Sequence, residues 1–155
     1  MIFRRLKVSD ATFRFALPHL HVAQAQKETT YNEALLRIDG LLHCAVQDEL
    51  QTAPNATPAE SGKMWLIGGL PTGEWQGRAG MIAYWTGSAW RYFVPQPGME
   101  IWHIGAAKAL RFINNDWQSA QPVLPAAGGS VVDIEVRSQM EALIGELRAI
   151  GLLPS

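Results

Sequence analysis

Apolar residues recur at alternating spacings of four and three in the last part of the chain, between residues 131 and 153. This spacing is typical of the a and d positions of a helix that pairs with copies of itself. Ile144 widens the apolar face beyond the seam of a two-stranded coiled coil, which favours three or more strands. We therefore expect a parallel homotrimer, with a pentamer as the alternative. Besides Ile144, the predicted oligomerisation residues are Val136, Met140, Leu143, Leu147 and Ile150.

A segment rich in proline and glycine, residues 121–130, precedes this helix. Such a composition predicts a linker, so the helix of residues 131–155 should be tethered to the rest of the chain. Ser130 is the predicted N-cap, and Asp133 three residues later can complete a box-like arrangement near the positive end of the helix dipole. Asp133 also occupies the first a position, where a charged side chain should keep the paired helices further apart.

A second helical pattern lies nearer the start of the chain. Thr30 and Glu33 have the spacing of a capping box. They predict a helix from about Tyr31 to Asp48, and residues 20–27 are also compatible with a helix, so a helical hairpin and a kinked pair both stay open. The apolar residues expected to bury one face of the main helix recur at three and four. They are Tyr31, Leu35, Ile38, Leu42 and the pair Ala45 and Val46.

Residues 63–120 predict a β region with a weak internal repeat. Three times an apolar or aromatic strand is followed by a turn and then by a second strand that contains a tryptophan. This is the pattern of a β-hairpin. The tryptophans of the three second strands are Trp75, Trp90 and Trp117. The three hairpins should form a small antiparallel sheet or a half-barrel.

Together these patterns predict an α+β fold. An N-terminal helical segment packs on a small antiparallel β-sheet of Trp-rich hairpins, and a C-terminal oligomerisation helix follows. The expected organisation is an arm at residues 1–17, the helix and β domain at 18–120, the linker at 121–130 and the C-terminal helix at 131–155.

Several aromatic side chains fall on the predicted hairpins or near their turns. Exposed indole faces stack on the C–H surfaces of sugars, so such rings are candidates for glycan binding. The alternative is that they form the core of a sheet too small to bury enough aliphatic side chains. Trp85 and Trp90 flank the tightest turn and should be the most exposed. The candidate glycan contacts are Trp85, Trp90, Tyr92, Trp102 and Trp117.

The charge pattern excludes several kinds of partner. The net charge is −1, and only 17% of residues are charged. A nucleic-acid-binding surface needs clustered Lys and Arg, so we expect no nucleic-acid partner. No apolar run approaches a membrane span or the core of an ordinary secretion signal, so we expect a soluble protein without a membrane partner. The basic N-terminus is either a solvated end or an arm that attaches to a particle through Arg4, Arg5, Lys7 and Arg14.

No motif in the chain indicates an enzyme. A nucleophile elbow, a phosphate-binding loop and a pair of catalytic carboxylates are all missing from the sequence. His19 and His21 have no further residue at a spacing that would complete a metal site. Cys44, beside apolar neighbours, is predicted to be a buried and inert thiol. We expect no catalytic residue, no metal and no cofactor.

Residues 14–48 resemble the start of a phage-associated family, domain of unknown function 2793 (DUF2793). Its members typically open with Leu-Pro, then AQAQK, then a Thr-x-Asn-Glu-Ala-Leu segment and an apolar helix. The similarity continues through the β region and covers about residues 14–118. The matching motifs here are at residues 17–18, 23–27, 30–35, 73–75, 80–85, 90–93 and 95–98.

The resemblance implies a component of a tailed phage, a prophage or a gene transfer agent. We expect a structural virion protein, made in the bacterial cytoplasm, that forms the homo-oligomeric base or adaptor of a tail fibre or head spike and takes part in host-surface attachment. Fibre members often continue into long receptor-binding regions, so a chain of 155 residues favours a base over a tip. The expected partners are other copies, a capsid or tail protein and a fibre subunit. The alternative is a lectin-like module that binds host capsular polysaccharide.

Overall fold

The computed structural model describes residues 11–20, 27–124, 133–149 and 152–153. These residues contain two α-helices, eight strands and two short 3-10 helices at Pro58–Glu60 and Gly73–Trp75. The helices are α1, Lys27–Leu41, and α2, Ile134–Ala149. The strands are β1 Ala45–Val46, β2 Glu49–Leu50, β3 Met64–Ile67, β4 Ile82–Trp85, β5 Trp90–Phe93, β6 Glu100–His103, β7 Lys108–Ile113 and β8 Asp116–Gln118.

The strands form two four-stranded sheets, ordered β1-β6-β7-β8 and β2-β3-β4-β5. The short β1 and β2 run parallel to β6 and β3, and the remaining pairs are antiparallel. Residues 45–50 therefore pass from one sheet to the other. The Gln47 backbone ties them together, since its N–H donates to the Met64 carbonyl at 2.7 Å and its carbonyl accepts from Gly105 N–H at 3.0 Å. The α+β fold with Trp-rich hairpins is confirmed, but the single expected sheet is in fact two.

Two of the three predicted hairpins are confirmed. Trp85 pairs with Trp90 across the β4–β5 turn, and Phe112 pairs with Trp117 in the β7–β8 hairpin. The β7–β8 turn contains Asn114 with φ 54° and Asn115 with φ 62°, the left-handed conformation that asparagine tolerates better than most residues.

The first predicted hairpin, from residue 64 to Trp75, is wrong. β3 pairs instead with β4, where Met64 faces Tyr84 and Leu66 faces Ile82. Trp75 lies in the 3-10 helix between these strands and is completely buried. The large indole ring gains more from this burial than it would from a place on an edge strand, so the chain makes a long connection before the return strand.

The helix near the N-terminus differs from its prediction in both position and orientation. It starts at Lys27, so Thr30 lies inside it and caps nothing, and it ends at Leu41 because His43 adopts a φ of 47° before β1. The face that packs inward contains Asp39 and Gly40. Of the residues predicted to be buried, Tyr31, Ile38 and Leu42 are 54%, 51% and 45% exposed, and Leu35 is half-buried. Val46 is buried as predicted, but on β1 and not on the helix.

Close packing on the β-strands explains this orientation of α1. A Cβ atom on Gly40 would lie 2.6 Å from Phe93 Cε2 and 3.1 Å from Tyr84 Cδ2. Only glycine allows the helix to approach these two rings so closely. The contact therefore falls at Gly40 and not along the apolar stripe that periodicity identified.

Two cores are formed by the opposite faces of β3, which is buried throughout. The larger core draws on both sheets and includes Leu66 of β3 and Leu110 of β7. The smaller core lies on the other face, where Trp65 packs with Trp75. Cys44 belongs to the larger core, and burial raises the pKa of its thiol to about 11. The predicted buried thiol is thus confirmed.

Candidate assembly surface

The C-terminal helix α2 begins one residue after Asp133. The Asp133 carboxylate accepts a hydrogen bond from Val136 N–H at 3.0 Å, so Asp133 is the N-cap and not a seam residue. The proposed cap Ser130 lies outside the described residues. The predicted helix is therefore present, but its beginning is set by a different side chain.

Three of the predicted oligomerisation residues form an exposed apolar stripe along α2. Val136, Met140 and Leu143 are 58%, 49% and 54% exposed. With Glu135 and Gln139 they line an open groove of about 600 Å³. We call these three residues the seam. Leu147 is half-buried, and Ile150 lies outside the described residues.

The neighbouring face of α2 packs on its own chain. Ile144 is only 6% exposed, and Arg148 Nη2, one turn further on, donates to the Val123 carbonyl at 3.0 Å. Ile144 was expected to widen the interface between copies, and that prediction is wrong because a side chain already buried within one chain offers no surface to another. Ile144 therefore gives no support for a coiled coil of three or more strands.

The N-terminal segment is attached to the end of α1. The guanidinium of Arg14 donates to the carbonyls of Asp39, Gly40, Leu42 and His43 at 2.7–3.2 Å. The carbonyls of Asp39 and Gly40 are among those that a helix leaves without partners at its C-terminus, where the helix dipole favours a cation. The other two carbonyls follow directly after the helix. Arg14 was a candidate for attachment to a particle, and this is corrected because the same chain occupies its donors. Arg4, Arg5 and Lys7 lie outside the described residues.

Asp39 is the centre of this contact, and the sequence analysis did not identify it. Its carboxylate is fully buried and accepts from Thr12 Oγ1 at 2.7 Å and from the backbone N–H of Phe15 at 2.6 Å. Tyr84 also donates to it at 3.3 Å. Burial, and then the charge of Asp39, raise the pKa of Tyr84, so its phenol stays a donor. The available signal was an acidic residue between Ile38 and Gly40, near the end of the predicted apolar stripe.

Three candidate glycan-contact residues form part of an aromatic cluster on the second sheet. The Trp90 ring lies 4.8 Å from Trp85, 5.3 Å from Trp75 and 5.5 Å from Trp65. The Trp85 indole N–H donates to the Thr57 carbonyl, and the Arg78 guanidinium lies 4.3 Å above the Tyr92 ring. Trp85, Trp90 and Tyr92 are half-buried by these contacts. This is the geometry of a packed core and not of an open platform.

The other two candidate rings lie on the first sheet, on opposite faces. Trp102 pairs with Ala109 and is 37% exposed, whereas Trp117 pairs with Phe112, which is turned inward. Ala109 and Phe112 are an odd number of residues apart on one strand, so their partners point to opposite sides. The five candidate rings are therefore distributed over three separate surfaces.

Among the described residues, no group of three or more His, Cys, Asp or Glu side chains could hold a metal ion. Within that same part of the chain, no helix is both long enough and apolar enough to cross a membrane. His103 caps the β6–β7 turn, because its Nδ1 accepts from Ala106 N–H at 3.0 Å.

A family model described as protein of unknown function (DUF2793) matches residues 31–118, which run from the first turns of α1 to the end of β8. The chain belongs to the DUF2793 family. The match covers both sheets, and it leaves out the AQAQK block at residues 23–27 and the helix α2. No curated protein and no solved structure gives a significant match to the chain.

Proposed function

We propose that this DUF2793 protein is a structural subunit of a phage or gene-transfer-agent particle. It forms the homo-oligomeric base or adaptor of a tail fibre or head spike and takes part in host-surface attachment. The observation that carries the proposal is the seam, a row of three apolar side chains left uncovered on a helix whose adjacent face is already packed. The resemblance to a phage-associated family supports the proposal that the oligomer is part of a particle.

The energetics favour burial of the seam by other copies. An isolated helix of 16 residues is marginal in water, and α2 has few contacts with its own chain along the exposed stripe. Val136, Met140 and Leu143 are about half exposed, so covering them contributes roughly 0.8–1.5 kcal/mol per side chain, half the value for full burial. The a and d spacing matches a parallel coiled coil, in which each copy covers the same stripe of its neighbours. Without the argument from Ile144, the proposed trimer rests on the fibre role alone, since a trimer suits a fibre and a pentamer would suit a five-fold vertex.

The alternative function, a lectin that reads host polysaccharide with an exposed tryptophan platform, has less support. Its two principal residues, Trp85 and Trp90, pack against each other and against the core. Particle assembly is therefore the function that the exposed surfaces favour.

Light scattering on the full chain tests the oligomer. The wild type should have a mass that is a multiple of 17.1 kDa, and Met140→Asp combined with Leu143→Asp should give the monomer mass. The matched control places the same charges at two exposed positions off the seam, Ser138→Asp and Ala142→Asp, and should keep the oligomer. A wild type that stays monomeric at micromolar concentration and above contradicts the assembly role.

The particle assignment is tested separately, on purified phage or gene-transfer-agent particles from cells that express a tagged copy. The tagged chain should copurify with particles, and Arg4→Ala, Arg5→Ala and Lys7→Ala together should reduce its incorporation without dissociating the oligomer. A wild-type oligomer that forms in solution and is missing from particles contradicts the virion role alone.

A further inference from the structure

A pocket of about 470 Å³ opens at the junction of the two sheets. One wall comes from the residues that follow β1, one from the β6–β7 turn and one from the inward faces of β7 and β8. Its volume lies in the range of natural ligand sites. The lining residues are Asp48, Glu49, His103, Gly105, Ala106, Lys108, Leu110, Trp117 and Ser119.

The imidazole of His103 has a defined orientation in this pocket. It is 6% exposed, and its Nδ1 accepts from Ala106 N–H at 3.0 Å. An imidazole nitrogen that accepts carries no hydrogen, so the proton of the neutral ring is on Nε2. Nε2 lies 3.5 Å from Asp48 Oδ1, which also accepts from Glu49 N–H at 2.8 Å, so the Oδ2 atom of this mostly exposed carboxylate is the available acceptor. The pocket thus contains a fixed donor next to an available acceptor.

The shape of the pocket depends on Gly105. Its N–H donates to the Gln47 carbonyl at 3.0 Å, and a Cβ atom there would lie 3.0 Å from that oxygen and 3.6 Å from Asp48 Cγ. A side chain at this position would therefore press on the crossing segment between the sheets. Glycine lets the turn lie flat against that segment and keeps the cavity open.

Trp117 supplies a rigid apolar wall. Its indole N–H donates to the Gly80 carbonyl at 2.8 Å, and its ring lies 5.2 Å from Phe112. The polar edge of the indole is thereby occupied, and the half-buried ring is held in place from two sides. What remains for a ligand in the pocket is ring surface, on which C–H groups can pack.

The polar groups of the lining are mixed in sign and in hydrogen-bonding role. Asp48 and Glu49 accept, Lys108 donates, and the Ser119 hydroxyl does both. The two carboxylates disfavour an anion, and the Lys108 ammonium weakens their attraction for a cation. Hydroxyl groups both donate and accept, so a neutral polyhydroxylated ring satisfies both kinds of group and places its C–H face on Trp117.

From this arrangement we propose that the pocket between Asp48, Glu49, Lys108 and Trp117 binds a single neutral sugar ring. The site differs from the aromatic cluster around Trp90, and of its members only Trp117 was a candidate from the sequence. It does not depend on the oligomeric role, because the seam lies on α2 and contributes nothing to the pocket.

Nuclear magnetic resonance on the ¹⁵N-labelled full chain tests the proposal. The probes are the methyl glycosides of glucose, galactose, mannose and N-acetylglucosamine, with methylammonium and acetate as the ionic probes. At least one glycoside should shift the Trp117 indole signal and the Ala106 amide saturably, with a dissociation constant in the millimolar range. Glu49→Gln and Lys108→Met should each weaken that binding about tenfold, the usual effect of losing a hydrogen bond to a charged group.

The matched controls are Glu100→Gln and Lys63→Met, which change the same residue types away from the pocket and should leave the affinity unchanged. The seam variant with Met140→Asp and Leu143→Asp should also bind as the wild type does. No saturable shift with any glycoside, or saturation by methylammonium or acetate alone, overturns the proposal. Equal weakening by the control variants also overturns it, since binding would then lie elsewhere.

Discussion

Arg14 and Asp39 are 25 positions apart in the chain, yet the backbone N–H of Arg14 donates to Asp39 Oδ2 at 2.9 Å. The guanidinium of the same arginine covers the carbonyl end of α1, and the buried carboxylate also accepts from Thr12 and Phe15. One acidic residue and one basic residue thus fasten the first described segment to the helix. These hydrogen bonds join the N-terminal segment to the C-terminal part of α1.

Asp39→Asn should lower the free energy of unfolding by about 1–3 kcal/mol, because the new amide group presents a donor where buried backbone N–H groups need an acceptor. Urea denaturation measures the difference. Glu100→Gln, which changes an exposed ion pair with Arg111, should stay within about 0.5 kcal/mol of the wild type. Equal stability of the Asp39 variant and the wild type would contradict the central role of this carboxylate.

Gly40→Ala and Gly145→Ala should have opposite effects, although both replace a helical glycine. Alanine at position 145 meets nothing within 4 Å and should stabilise the protein by up to about 1 kcal/mol through helix propensity. Alanine at position 40 would push against Phe93, and overpacking of this kind costs about 1–3 kcal/mol. Thermal unfolding compares the two, and a stabilised Gly40 variant would show that α1 can move away from the sheet freely.

Trp90→Ala should reduce the free energy of unfolding by about 3–5 kcal/mol, since the ring packs on three other tryptophans. Trp102→Ala removes the more exposed ring on the first sheet and should have a clearly smaller effect. Denaturation followed by circular dichroism gives both values. If instead Trp90→Ala unfolds like the wild type, the cluster is not a core and its rings are free to bind.

The Cys44 thiol should make the protein less stable at alkaline pH. Burial raises its pKa in the folded state from 9.0 to about 11, so the unfolded chain loses this proton first. Stability should therefore fall as the pH rises from about 9 to about 11, with a contribution on the order of 2 kcal/mol from this group. Urea denaturation of the wild type and Cys44→Ala over this range isolates the contribution. Parallel pH profiles for the two proteins would refute it.

The two hairpins at Trp85–Trp90 and Phe112–Trp117 could be predicted from the sequence because each closes within a few residues, and local turn chemistry with alternating side chains is enough to define them. The helix α2 was recognised for a similar reason, since its spacing repeats every turn. Its cap was placed wrongly because several polar residues near the start can serve as N-cap, and only the folded backbone selects Asp133.

The sequence by itself thus determined the family, the α+β class, two hairpins and the existence of both helices, all of which depend on neighbours close along the chain. Only the tertiary structure decided that β3 pairs with β4, that residues 45–50 join two sheets, and that α1 packs through Gly40. These features, like the approach of Arg14 to Asp39 and the pocket beside Trp117, depend on groups far apart in sequence. Their contacts are selected by how all the large side chains are buried together, and no short stretch of the chain encodes that outcome.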